Sequence, residues 1–254
     1  MIYLLGSDGF LGSSICTILK KNKIKYIGIN KKNYSNYKGK DCDVLINVST
    51  NSKKYLAEKN FKLDFDKTVN HVLNTIRDFR YKKYILISSS DVYNDTNYPK
   101  LNKETAYINP SSLTNYGLNK YLAELLVIKH CKNWLIFRCG GLIGNGLKKN
   151  PIYDLMNKKK LYVCPQSRFQ FISTDDVSEI ILKVNKKNIN NEIFNLSGIG
   201  QVSIKEIINK YKFFPTFGDK TNFVNYNINS KKINKIFKVK KQKTIYLIFL
   251  TGVC

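Results

Sequence analysis

Two clusters of residues in this 254-residue chain have the types and spacing for acid–base chemistry. Tyr116-Gly117-Leu118-Asn119-Lys120 sets a phenol and an ammonium four residues apart, which is one face of a helix. An ammonium beside a phenol stabilises the phenolate and draws its pKa from about 10 toward neutrality. Such a pair can pass a proton near neutral pH. Ser88-Ser89-Ser90-Asp91-Val92-Tyr93 supplies hydroxyls and a carboxylate able to hold a substrate oxygen. A Y-x-x-x-K pattern arises by chance in a chain with 17 tyrosines. It gains meaning only from its setting.

The setting begins at the first residues. Ile2, Tyr3, Leu4 and Leu5 form a short apolar run that fits a buried parallel strand. Gly6-Ser7-Asp8-Gly9-Phe10-Leu11-Gly12 follows as a turn. Leu11, Ile15, Ile18 and Leu19 then recur at helical spacing. A glycine-rich turn between a strand and a helix lets a pyrophosphate approach the amides at the helix N-terminus, where side chains would block it. Gly6, Asp8, Gly9, Phe10, Leu11 and Gly12 are therefore candidate dinucleotide-binding residues. The second strand, residues 25–30, ends in Asn30-Lys31-Lys32. An acid at this tip would bind the ribose 2′-hydroxyl of NAD. Asn30 and Lys31 present none, and the lysines tilt the reading toward NADP over NAD.

Further strands are expected at 43–48, 84–88, 134–138 and 192–196, with helices at 65–79, 114–132 and 175–184. Alternating strands and helices of these lengths predict a parallel sheet covered on both faces. Segments 147–170 and 199–254 break the alternation and are expected to fold over the carboxyl edge of the sheet, where ligands bind in open α/β folds. The apolar end, residues 244–254, reads either as a packed terminal strand or as an irregular chain end.

In this order the motifs resemble the extended short-chain dehydrogenase/reductase family, the NAD(P)-dependent nucleotide-sugar epimerases, dehydratases and reductases. The resemblance runs from residue 1 to about residue 200. It rests on the glycine turn, Asp43-Val44-Leu45-Ile46-Asn47, the serine stretch and Tyr116-x-x-x-Lys120 with Glu124. It continues through Phe137-Arg138-Cys139-Gly140-Gly141-Leu142-Ile143-Gly144, Phe171 to Val177, and Ile193-Phe194-Asn195-Leu196. The resemblance implies an α/β, Rossmann-type doubly wound parallel sheet (residues 1–146 and 171–198) with a small C-terminal substrate-binding region (147–170 and 199–254). It implies Tyr116 as general acid/base, Ser89 as the hydroxyl polarising the same oxygen, and Lys120 on the nicotinamide ribose. Ser90, Asp91, Lys148 and Arg168 become candidate contacts to a nucleotide-linked sugar. Reduction and epimerisation use the same residues and stay open. Dehydratases carry an Asp-Glu pair where this chain has Ser90-Asp91, which disfavours elimination. The short interval between Asn30 and Asp41 implies that the usual third strand is shortened or missing. Asp176 is expected to cap the helix that follows it. Homodimerisation through helices is common in that family and is carried as an expectation.

Composition excludes several classes. Apolar residues make up 43 % and charged residues 24 %, as in globular domains. The net charge of +25 raises nucleic-acid binding. Only Arg77, Arg80, Arg138 and Arg168 are arginines, however, and the lysine excess reads as solvated background. Nucleic acid is accordingly not an expected partner, although a non-catalytic, RNA-binding or redox-sensing dinucleotide fold is the alternative reading. Six scattered cysteines form no metal or disulfide pattern, which points to a reducing, cytoplasmic setting. His71 and His130 belong to no ligand motif, and no metal site is expected. No apolar run approaches membrane-spanning length, and the first residues lack the pattern of a signal peptide.

Overall fold

A computed structural model describes residues 1–241. The apolar end at 244–254 lies outside the described residues. The elements run β1 (Ile2–Leu5), α1 (Phe10–Lys21), β2 (Tyr26–Ile29), β3 (Asp41–Asn47), α2 (Lys54–Lys59), α3 (Phe61–Phe65), α4 (His71–Asp78) and β4 (Arg80–Ser89). Then come α5 (Asn115–His130), β5 (Trp134–Cys139), β6 (Gly141–Ile143), α6 (Pro151–Met156), β7 (Leu161–Val163), β8 (Arg168–Phe169) and β9 (Phe171–Ser173). The last are α7 (Thr174–Lys186), β10 (Glu192–Leu196), β11 (Val202–Ser203), α8 (Ile204–Tyr211), β12 (Phe217–Asn222) and α9 (Lys231–Asn234).

Six strands form one parallel sheet in the order β10-β5-β4-β3-β1-β2. The period-two alternation of strand side chains splits its residues between two cores. Ile2, Leu4, Val44, Ile46, Ile85, Ile87, Leu135 and Phe137 face α1 and α7. Tyr3, Leu5, Leu45, Tyr84, Leu86 and Ile136 face α4 and α5, through Val72, Ala123 and Val127. Each fully buried aliphatic or aromatic side chain stabilises the fold by roughly 1.5–3 kcal/mol. This is the doubly wound sheet that the alternation predicts. It ends at β2: a 3₁₀ turn at Tyr34–Tyr37 occupies the short interval before β3.

Several boundaries differ from the sequence reading. The helix expected at 65–79 is broken by a π-helical turn, Asp66–Asn70, between α3 and α4. The helix α2 was not anticipated, since its lysines and single buried residue, Ala57, give no amphipathic stripe. Asp176 does not cap α7. The Ser173 hydroxyl accepts the Asp176 amide at 3.0 Å. The Asp176 carboxylate instead pairs with Lys240 at 2.8 Å.

The excursions after β5 and β10 share a third core of Ile143, Ile152, Leu155, Leu161, Phe169, Phe171, Val202, Ile204 and Ile207. They pair through β11–β8 and β12–β7. Residues beyond 230 return to the main sheet, where Ile233 and Val239 join the α1/α7 core.

Candidate active site

The glycine turn has the shape of an anion cradle. Gly6 adopts φ +83°, and a Cβ there would lie 3.0 Å from the Ser49 backbone. Gly12 sits so close under the turn that a Cβ would lie 2.0 Å from the Gly6 carbonyl oxygen. Gly9 takes the N-cap of α1, and no side chain caps the helix. The first-turn amides therefore point outward with no intrahelical partner. Ser49, the wall of the cradle, is held by Asn47, whose Oδ1 accepts its amide at 3.0 Å and its hydroxyl at 2.7 Å. Asn47 is itself fully buried and donates to the Tyr84 hydroxyl at 2.8 Å. His71 Nε2 shares a 2.6 Å hydrogen bond with Ser49 Oγ, which makes it a packing residue of this wall. Burial, and then the nearby Lys31 ammonium, hold its pKa below the ordinary value.

Ser89, Tyr116 and Lys120 lie at the carboxyl edge of the sheet. Ser89 is the last residue of β4, and its hydroxyl accepts the Asp91 amide at 3.2 Å to open a 3₁₀ turn. Thr114 caps α5 through the Gly117 amide, so Tyr116 and Lys120 fall in its first two turns, both buried. Gly117 permits the approach of α5 to β4: a Cβ there would lie 2.3 Å from the Asp91 carbonyl oxygen. The Lys120 ammonium lies 5.5 Å from the centre of the Tyr116 ring and donates to Thr50 Oγ1 at 2.6 Å. Beneath them Glu124 and Arg138, both buried, form a bidentate pair. Ser88 donates to Glu124 at 2.5 Å, which ties α5 to β4 and β5.

Electrostatics here differ from the simple phenol–ammonium picture. Burial raises the Tyr116 pKa well above its ordinary value, and the Asp91 charge adds to this. The cation countering it is Lys54, not Lys120, and a hydrogen bond with Ser89 acts in the same direction. Burial lowers Lys120 to about 8, against the pull of Asp64. Asp64 is fully buried and accepts from Asn51 at 2.6 Å and from Asn119 at 2.8 Å. For Asp91, burial would raise the pKa. The Lys54 ammonium and hydrogen bonds from Lys54, Tyr226 and Ser89 outweigh it and hold the carboxyl below the ordinary range.

The structure adds residues that the sequence did not single out. Lys54, at the start of α2, donates to Asp91 Oδ1 at 2.6 Å and to the Tyr226 hydroxyl at 2.6 Å. Tyr226 comes from the C-terminal excursion and donates to the same Asp91 oxygen at 2.7 Å. Nothing marks Lys54 among so many lysines. Tyr226 lies 110 residues beyond Tyr116, in a stretch without periodicity. Of the lysine pair at 148–149, Lys149 is the one whose charge faces Lys54 and Asp91. Lys148 is exposed, and so is Arg168 on the short strand β8. Neither side chain has a hydrogen-bond or ion-pair partner among the described residues. Ser90 is buried. At the tip of β2 the Asn30 side chain donates to Asp8 Oδ2 at 2.6 Å, bringing a carboxylate that the sequence places elsewhere.

Among the described residues no cluster of His, Cys, Asp and Glu can hold a metal, and no helix is long and apolar enough to cross a membrane. The fold recurs in solved structures. UDP-glucuronic acid 4-epimerase from Bacillus cereus, bound to UDP-glucuronic acid and NAD, superposes with a TM-score of 0.81 at 17 % identity, covering 100 % of this chain and 99 % of that one. A dTDP-4-dehydrorhamnose reductase from Clostridium acetobutylicum gives 0.79 at 18 % identity, covering 99 % of each chain. That of Bacillus anthracis, in complex with NADP, gives 0.77 at 15 % identity, covering 99 % of this chain and 98 % of that one. No curated protein matches significantly in sequence. The family model described as the RmlD substrate binding domain matches residues 1–231, nearly the whole described chain. A glycine cradle at one end of the sheet edge and a Ser–Tyr–Lys cluster beside it thus sit in a chain that belongs to the RmlD substrate binding domain family.

Proposed function

We propose that the chain is an NAD(P)-dependent oxidoreductase or epimerase of a nucleotide-linked sugar, with Ser89, Tyr116 and Lys120 as its catalytic set. One observation carries the reading. Tyr116 and Lys120 stand on one face of α5, against the end of β4 that presents Ser89, at the sheet edge shared with the glycine cradle. The structures bound to NAD or NADP that share this fold agree with it.

The cradle fits a dinucleotide, because Gly6 and Gly12 let the turn pack tightly on the start of α1 and no side chain caps α1. Gly6, Asp8, Gly9, Phe10, Leu11, Gly12, Asn30 and Lys31 would hold the adenosine diphosphate half, and Lys120 the nicotinamide ribose. The nicotinamide, when bound, supplies hydride acceptance or donation. The chain itself handles the proton and the positioning. Tyr116 passes a proton to or from the sugar oxygen at the carbon being oxidised or reduced. Ser89 holds the same oxygen. Asp91 orients Ser89 by accepting its hydroxyl at 2.8 Å. Lys54, Lys149, Lys148 and Arg168 give the sugar-nucleotide side a positive field that suits a diphosphate.

A thermal-shift panel tests this proposal. A dinucleotide and one class among UDP-, GDP-, CDP- and dTDP-sugars should each raise the melting temperature, as ligands of the native state do. A panel without any shift by NAD or NADP contradicts it.

A further inference from the structure

We propose that Asp8, fastened to the tip of β2 by Asn30, is the acidic group that selects an unphosphorylated adenosine ribose, so that the chain takes NAD in preference to NADP. The inference rests on the dinucleotide reading of the glycine cradle and sharpens it.

Dinucleotide folds that choose NAD carry a carboxylate at the end of β2, where it binds the ribose 2′-hydroxyl. Here that position is Asn30, followed by Lys31 and Lys32, and by residue type alone the tip is cationic. The structure changes its character in two ways. First, Asn30 does not face outward as a neutral residue. Its Nδ2 donates to Asp8 Oδ2 at 2.6 Å, while Ser7 Oγ donates to Asp8 Oδ1 at 3.1 Å. A carboxylate from the glycine turn is thereby fixed at the tip. Each of its oxygens keeps lone-pair capacity for a ribose hydroxyl.

Second, the tip has few amides left for a phosphate. Asn30 Oδ1 accepts from the Lys32 amide at 2.9 Å and from the Asn33 amide at 3.3 Å. Asn33 Oδ1 accepts from the Asn30 amide at 2.8 Å. The Asn33 side chain is locked in turn by donating to the Gly28 carbonyl at 3.0 Å. A 2′-phosphate is ordinarily gripped by backbone and cationic donors together. Here the amides at 30, 32 and 33 are committed within the turn, and the fixed group at the rim is an anion. Among the described residues, the opposing charges at the tip are the exposed side chains of Lys31 and Lys32. The Lys31 ammonium lies near enough to His71 to lower its pKa. A fixed carboxylate facing a phosphate dianion outweighs solvated lysines free to turn away.

Equilibrium binding to the protein tests the proposal, with NAD and NADP, and with 5′-AMP and 2′,5′-ADP as fragments that differ only in the 2′-phosphate. The wild type should bind NAD about tenfold or more tighter than NADP, and 5′-AMP tighter than 2′,5′-ADP. Asp8→Asn should cut that preference at least about fivefold in both pairs. Asn30→Ala, which frees both Asp8 and the turn amides, should cut it as well while Asp8 keeps its charge. Preference for NADP, or an unchanged ratio in Asp8→Asn, overturns the proposal and leaves the dinucleotide reading standing. Failure of the wild type to bind any of the four overturns both.

Discussion

Ser89 and Asp91 are bonded to each other twice. The Ser89 hydroxyl donates to Asp91 Oδ2 at 2.8 Å, and the Asp91 amide donates back to Ser89 Oγ at 3.2 Å. Because the other Asp91 oxygen takes Lys54 and Tyr226, the direction in which Ser89 points depends on a charge network outside the Ser–Tyr–Lys set.

That network sets a pH limit. Lys54 is the main force holding the Asp91 carboxyl down against its burial. Lys54→Met should therefore raise the Asp91 pKa. A group with a lowered pKa loses its charge only well on the acid side, so the acidic limb of the kcat/KM profile should move to higher pH. Tyr226→Phe, which removes one hydrogen bond, should move it less. A pH–rate profile of the three proteins checks both the direction and the order.

Lys120 makes a second pH prediction, on stability. Its pKa in the folded chain is about 8, below the ordinary 10.5. Between those values the unfolded chain binds more protons, so stability rises with pH across the window. At 1.36 kcal/mol per unit the full effect is at most about 3 kcal/mol. Lys149, also lowered to about 8, adds in the same direction, but its exposed side chain contributes less. Urea denaturation from about pH 7 to about pH 9.5 should show the rise. In Lys120→Met the slope should be markedly flatter.

The Glu124–Arg138 pair lies out of water under α5, with side chains no more than 3 % exposed. Removing one partner strands a buried charge, at a cost of about 3–5 kcal/mol. Glu124→Ala should lose stability on that scale in denaturant unfolding. The double variant Glu124→Leu, Arg138→Met should recover a good part of the loss.

Gly117→Ala tests the approach of α5 to β4. The added methyl would lie 2.3 Å from the Asp91 carbonyl oxygen, so the helix must shift. Displacements of this kind cost about 10²-fold in rate when reacting groups are misplaced by ~1 Å. Turnover should fall on that scale. Binding of ADP, a fragment that the cradle holds without α5, should change little.

The doubly wound fold was legible because its strands are buried on both faces and read as apolar runs, as in residues 84–87 and 134–137. The glycine cradle was legible because Gly6, Gly9 and Gly12 lie within one local turn. The same locality revealed Tyr116 and Lys120, one helical turn apart. What stayed hidden depends on contacts between distant segments. Tyr226 reaches Asp91 across 135 positions, and Asp8 reaches Asn30 across 22. Neither pair leaves a spacing signal. The Tyr116 pKa was misjudged for a related reason. Spacing gives the neighbouring ammonium but not the burial, which here outweighs it. The sheet stops at β2 because too few residues separate Asn30 from Asp41 to build a crossover.

The most direct test of the account is Tyr116→Phe, assayed beside the wild type with NAD and NADP against UDP-, GDP-, CDP- and dTDP-sugars, with dinucleotide affinity measured in parallel. The wild type should turn over at least one of these sugars. In the variant turnover should fall by about 10²–10⁴-fold, the usual range for a lost general acid/base, while dinucleotide affinity stays within about twofold. Equal turnover by the two proteins would contradict it.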